Sequence, residues 1–149
     1  MKFRRSQTKL FDKLSAEQIA EQIIKKAKAK KLVKIKYLRI SEAGDFRNQE
    51  DLNKMSNIAN LLEKENIRVY GYTARTDLDY TNISKNLVMN GSYFMVDNSF
   101  IPVKQYTEGG IRCLGNCRIC NLCKEKSGVA IENKFHGISF NNIKEVTNG

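Results

Sequence analysis

Apolar positions recur along this chain with two periods, and the switches between them mark out the elements. Ile19, Ala20, Ile23, Ile24 and Ala27 form a stripe at helical spacing. Ser15 precedes that stripe with Gln18 three positions on, a capping box, and Leu14 with Ile19 forms a hydrophobic staple. The pattern predicts a helix over Ser15–Lys31. From Leu32 to Ile40 the period becomes two: Val33, Ile35 and Tyr37 alternate with Lys34 and Lys36, as in a strand. Leu52, Met55, Ile58, Ala59 and Leu62 return to the helical period and predict a second helix over Gln49–Lys64. Ile67–Thr73 and Leu87–Met89 read as further strands, the latter ending at Asn90-Gly91-Ser92, with a short third helix expected around Tyr80–Asn86.

Tyr93–Val96 and Phe100–Val103 read as two more short strands, broken by Asp97-Asn98-Ser99. The order β-α-β-α-β with short links implies right-handed crossovers and a small, mostly parallel sheet, an α/β fold. A competing reading makes Asn90-Gly91 a hairpin turn between Leu87–Met89 and Ser92–Val96. One domain is expected over 1–149: a basic arm and helix (1–31, with 1–13 irregular), an α/β core (32–104) and a cysteine-rich tail (105–149).

A chain of 149 residues is long enough to bury a core of its own. With 41% hydrophobic and 28% charged residues it is not a disordered protein. No apolar run reaches the length of a membrane span. The basic start, Lys2, Arg4 and Arg5, has no apolar segment behind it, so no secretory signal is expected and the compartment is expected to be the reducing cytoplasm.

Charge changes the picture more. The formal net charge is +10, and residues 1–39 alone hold 13 Lys and Arg against three acids, which accounts for all of it. Lys25, Lys26, Lys28, Lys30 and Lys31 gather at the end of the first helix. Cations there suit the helix dipole, and the same cluster is a candidate nucleic-acid contact. A solvated lysine-rich helix is the plainer reading.

The strongest chemical signal is a run of four cysteines: Cys113, Cys117, Cys120 and Cys123, spaced C-x3-C-x2-C-x2-C. In a reducing compartment such a run points to metal rather than disulfides. Structural zinc usually takes two separated pairs, whereas a single tight run is closer to iron–sulfur ligation. A 4Fe–4S cluster is therefore expected, with Zn2+ as the alternative. The first three cysteines also match radical SAM spacing, but they lie beyond the sheet, and Cys123 stands ready to fill the open iron that such chemistry needs. His136, the single histidine, is a possible ligand or outer-shell donor, or an ordinary surface histidine.

Parallel sheets bind ligands outside the carboxyl ends of their strands. The polar residues expected there are Glu42, Asp45, Arg75 and Asn90, a candidate polar site. Loop capping is the competing reading: Asp45 near the second helix, Arg75 paired with Asp77 or Asp79. No phosphate-binding loop motif is present.

These residues together resemble a known family. The stretch from Arg39 to Phe46 is similar to the R-x-x-x-x-G-D-F segment of the phage gene-88 protein family, and Tyr70 to Thr73 to its Y-x-Y-T strand. Asn90-Gly91-Ser92 lies where that family has a polar turn. Cys117, Cys120 and Cys123, then Val129-Ala130 and His136-Gly137, resemble its C-terminal tail. The resemblance implies an N-terminal cysteine-rich segment in longer members, and a short form with the basic arm and helix in its place is expected here. The resemblance implies a phage or prophage origin and a metal-bearing α/β domain, and it implies no reaction. The expected function is a non-catalytic metal-cluster protein that contacts nucleic acid, or an acidic or host protein complex, through its basic N-terminal region. The alternative is a small iron–sulfur redox or radical-type enzyme using the strand-end polar groups.

Overall fold

The computed structural model describes residues 9–29, 35–40, 45–114 and 120–134. Their order is a helical segment over 9–13, α1 (Ala16–Ala29), β1 (Tyr37–Ile40), α2 (Gln49–Glu63), β2 (Arg68–Thr73), β3 (Leu87–Ser92), β4 (Asn98–Val103), β5 (Ile111–Arg112), a 3-10 turn (Leu122–Lys124) and β6 (Ala130–Lys134). The strands form one sheet in the order β1-β2-β3-β4-β6-β5, and every pairing is parallel.

Both long helices begin, and the second ends, where local chemistry dictates. The Ser15 N–H donates to Gln18 Oε1 (2.9 Å) and the Gln18 N–H returns to Ser15 Oγ (3.2 Å), so the capping box is closed. The Asn48 side chain caps α2 by accepting from the Asp51 N–H (3.0 Å). At the other end Asn66 takes the left-handed conformation (φ 57°). The Ile67 N–H then reaches Leu62 O (3.2 Å) and the Asn66 N–H reaches Glu63 O (3.0 Å). This is a Schellman closure, with buried Ile67 and Leu62 as its apolar pair.

α2 covers one face of the sheet, and α1 packs against α2. Leu52, Ile58, Ala59 and Leu62 of α2 pack with Val69, Leu87 and Met89, and Ile19, Ala20, Ile23, Ile24 and Ala27 of α1 pack onto that core. Arg47 ties in the 9–13 segment: its guanidinium holds Asp12 (2.5 Å) and Asp51 (2.7 Å), and those hydrogen bonds lower both carboxyl pKa values. Lys54 adds bonds to the carbonyls of Phe11 and Leu14. So 9–13 is helical, not part of an irregular arm.

Four further expectations change. Tyr80–Asn86 is a chain of turns, not a helix. Polar side chains there take the backbone bonds that a helix would need. Asp79 accepts from the Thr81 N–H (2.9 Å), the Ser84 N–H donates to Ser56 Oγ (2.7 Å), and Asn86 Nδ2 reaches the carbonyls of Ala59 and Ile67. β3 runs through Asn90 and Gly91 to Ser92, so no turn lies there and the hairpin reading fails: β4 runs parallel to β3. Residues 93–97 form bends, not a strand, and β4 starts at Asn98 instead of after Ser99. Tyr93 sits at φ 66°, and a Cβ at Gly91 would run into the Phe94 carbonyl oxygen, so the link folds tightly back over β3. Asp97 closes it like a missing strand partner: its N–H donates to Met89 O (3.0 Å) and its carboxylate accepts from the Met89 N–H (2.8 Å). β5 and β6 lie in the region expected only to be a cysteine-rich tail. The first strand is described from Tyr37, with 35–36 outside it, and Leu32 to Lys34 fall outside the described residues.

Candidate metal centre and neighbouring polar clusters

The opposite face of the sheet carries the cysteine segment. Cys120 precedes the 3-10 turn and Cys123 lies within it. Lys124, 6% exposed, packs on that face with Nζ 4.5 Å from the ring centre of Tyr37 and 5.7 Å from that of Tyr70. Asn90 Nδ2 donates to Cys123 O (2.9 Å), and Asn98 Nδ2 to Glu125 O (2.7 Å). Arg68 pairs with Glu125, and Lys126 Nζ lies 3.3 Å from Asp97. Side chains of β1, β2, β3, the β3–β4 link and β4 thus hold residues 122–126 across the sheet.

Cys113 arrives by another route. It directly follows β5, and its N–H donates to Glu132 O (2.7 Å). The Glu132 carboxylate accepts from the Thr107 N–H (2.9 Å), which fixes the turn ahead of β5, and hydrogen bonding to the Thr107 side chain, then to its main chain, lowers the Glu132 pKa. Cys113, Cys120 and Cys123 are all half-buried. Cys117 and His136 lie outside the described residues. Among the described residues no three His, Cys, Asp or Glu side chains converge closely enough to hold an ion. The donors are chemically right for a thiophilic metal: they are cysteine sulfurs, and none of the three is fully buried.

The strand-end candidates divide. Asp45 and Arg75 join one network. Asp45 Oδ1 accepts from Thr73 Oγ1 (2.7 Å) and the Phe46 N–H (2.8 Å), and Oδ2 from the Ala74 N–H (2.7 Å). Arg75 donates through Nη1 to the carbonyls of Phe46 (2.9 Å) and Arg47 (3.0 Å), and through Nε and Nη2 to Asp77 (2.8 and 2.6 Å). Tyr80 OH donates to Arg75 O (2.6 Å), and burial raises its pKa. The bond from Arg75 holds Asp77 down at about 2. This is the capping arrangement: each polar group closes a loop. Asp45 caps its own loop and the end of β2, while Asn48 caps α2. Asn90 is fully buried on the other face, where its amide bonds to the cysteine segment. Glu42 lies outside the described residues.

Lys25, Lys26 and Lys28 are exposed on α1, with Lys28 3.8 Å from Glu65. Lys30 and Lys31 lie outside the described residues. Glu17 and Glu21, nearer the start of α1, line a groove of about 250 Å³ together with Ile24, Leu61 and Glu65. α1 is therefore bipolar, acidic at its beginning and basic at its end. Among the described residues no helix is long and apolar enough to cross a membrane.

Sequence reasoning passed over Asn98 and Lys124. Asn98 reads as a strand breaker, and nothing in the pattern singles out Lys124. The available signal was an amide among strand residues, which is expensive to bury without dedicated partners.

The family model described as Gene product 88 matches residues 2–130. No curated protein and no solved structure matches the chain.

Proposed function

This chain belongs to the Gene product 88 family of phage proteins, and from that premise we propose that it is a non-catalytic metal-binding protein that contacts nucleic acid. The observation that carries the metal reading is the docking of Cys123 on the sheet, with Cys120 just ahead of the same 3-10 turn and Cys113 delivered separately by β5. Free thiols have no need of such support; a ligand set does, because its side chains must reach one point. Cys117 completes a set of four. The residues that would hold the group are Cys113, Cys117, Cys120 and Cys123, with a 4Fe–4S cluster first and Zn2+ second. When bound, a fully thiolate-ligated group supplies structural closure or one-electron transfer. His136 is an outer-shell candidate.

The exposed Lys25, Lys26 and Lys28 support the nucleic-acid reading. The host-protein alternative rests on the same charge. The redox-enzyme alternative draws on Asp45 and Arg75, and both are committed to closing loops.

Anaerobic purification followed by metal and sulfide analysis tests the metal reading. Brown protein with iron and sulfide in equal amounts is expected. About one zinc per chain and no colour would replace the cluster with zinc and keep the site. Cys120→Ser should remove the metal and destabilise the β5–β6 region, because metal-binding energy is partly folding energy.

A further inference from the structure

Asn90 and Asn98 are both 0% exposed and face each other in register on β3 and β4. A strand keeps its ladder with main-chain groups alone, so an apolar side chain would serve the sheet there without the cost of burying an amide. The bonds these amides make point elsewhere. Asn90 Nδ2 donates to Gly71 O (3.0 Å) and Cys123 O (2.9 Å). Asn98 Nδ2 donates to Asn90 Oδ1 (3.0 Å), Glu125 O (2.7 Å) and, more weakly, Leu122 O (3.3 Å). Asn98 Oδ1 accepts from the N–H groups of Ser127 and Gly128, both at 3.1 Å. Apart from the bond within the pair and the one to Gly71, every contact goes to residues 122–128.

We infer that Asn90 and Asn98 are positioning residues for the thiol site: they fix the main chain around Cys123 so that its thiol is presented before any metal arrives. This inference rests on the metal reading above. The geometry favours it over simple sheet stabilisation because the asparagines grip the main chain of a ligand segment before, at and after Cys123. The Cys123 carbonyl is held by one amide, and the chain after it is held at Glu125, Ser127 and Gly128 by the other. Neither amide is assigned to the metal itself, so their removal acts on ligand placement alone.

The test compares the full chain with Asn98→Asp, which keeps an acceptor for Ser127 and Gly128 but has no N–H for Glu125 or Leu122. Asn90→Ser is the second variant and spares every Asn98 contact outside the pair. Each protein is loaded with iron and sulfide or with zinc, and metal loss is followed under a competing chelator. Circular dichroism of the metal-free proteins reports the fold. The variants are expected to give up metal at roughly 10- to 100-fold lower chelator, the range seen when groups supporting a ligand are removed. In the metal-free proteins, alkylation of Cys123 should rise relative to Cys113, whose main chain is held by β6. Folded variants that match the parent in both measurements would overturn the positioning role and leave the metal reading intact. A parent chain that takes up neither iron nor zinc would overturn both. Failure of both variants to fold would also overturn the inference, because the pair would then be holding the sheet.

Discussion

Gly91 and Gly128 separate two reasons for a glycine. At Gly128 the backbone is left-handed (φ 67°) with open space around an added Cβ, so Gly128→Ala should cost only the conformational penalty, about 1–2 kcal/mol. At Gly91 the obstacle is the Phe94 main-chain oxygen, which cannot swing aside as a side chain can. Gly91→Ala should therefore cost about 3 kcal/mol or more. Urea unfolding of the two variants checks the order; equal losses would mean that the 93–97 link does not fold back as described. Asp77 offers a pH test at the same scale. Its pKa falls from the ordinary 3.8 to about 2 through the bond from Arg75. A depressed carboxyl contributes stability that is full above 3.8 and disappears as pH falls through about 2. NMR titration should show Asp77 ionising near the lower value, and Arg75→Gln should move it back toward 3.8.

Among the elements, the clearest expectation concerns the start of α1. The reciprocal Ser15 and Gln18 bonds satisfy two otherwise orphaned N–H groups, so Ser15→Ala should lower stability by about 1 kcal/mol, read as a lower thermal midpoint. This cap, the two long helices and the first two strands could be read from the chain because their signals are local: a cap residue, an apolar period, a turn. The β3–β4 link could not. Asp97 and Asn98 are turn-forming types, yet one stands in for a strand partner and the other fills a buried polar slot. The Tyr80–Asn86 segment misled for a related reason, since its bonds go to Ser56, Ala59 and Ile67, far away in sequence. Of the candidate site, the four thiols were legible from spacing alone. The amides that hold the main chain around Cys123 were not, because partners 24 to 33 positions distant leave no periodic trace.

For the whole molecule the governing fact is that the +10 resides in residues 1–39, while α1 itself is acidic at one end. A polyanion should therefore meet the far end of α1, around Lys25, Lys26 and Lys28. If about four to six side chains reach phosphates, affinity should fall by roughly 10²–10³ between 50 and 200 mM salt, with a slope near −0.9 per contact. Filter binding across that range measures it. Changing Lys25, Lys26, Lys28 and Lys30 together to Glu should abolish binding and leave the circular dichroism spectrum unchanged. Absence of binding by the parent chain at low salt would move the basic surface to an acidic protein partner.

The short link between β3 and β4 also bears on how this chain finds its structure. Parallel pairings are slow to form when a long excursion must be ordered before the second strand returns. Asn90 meets Asn98 only eight positions later. Closing so small a loop takes little search, and the turn at Tyr93 and the Asp97 bonds to Met89 lie within it. The sheet thus contains a seed made of near neighbours. From it β2 can add on one side and β6 on the other, giving a non-local topology a local place to begin.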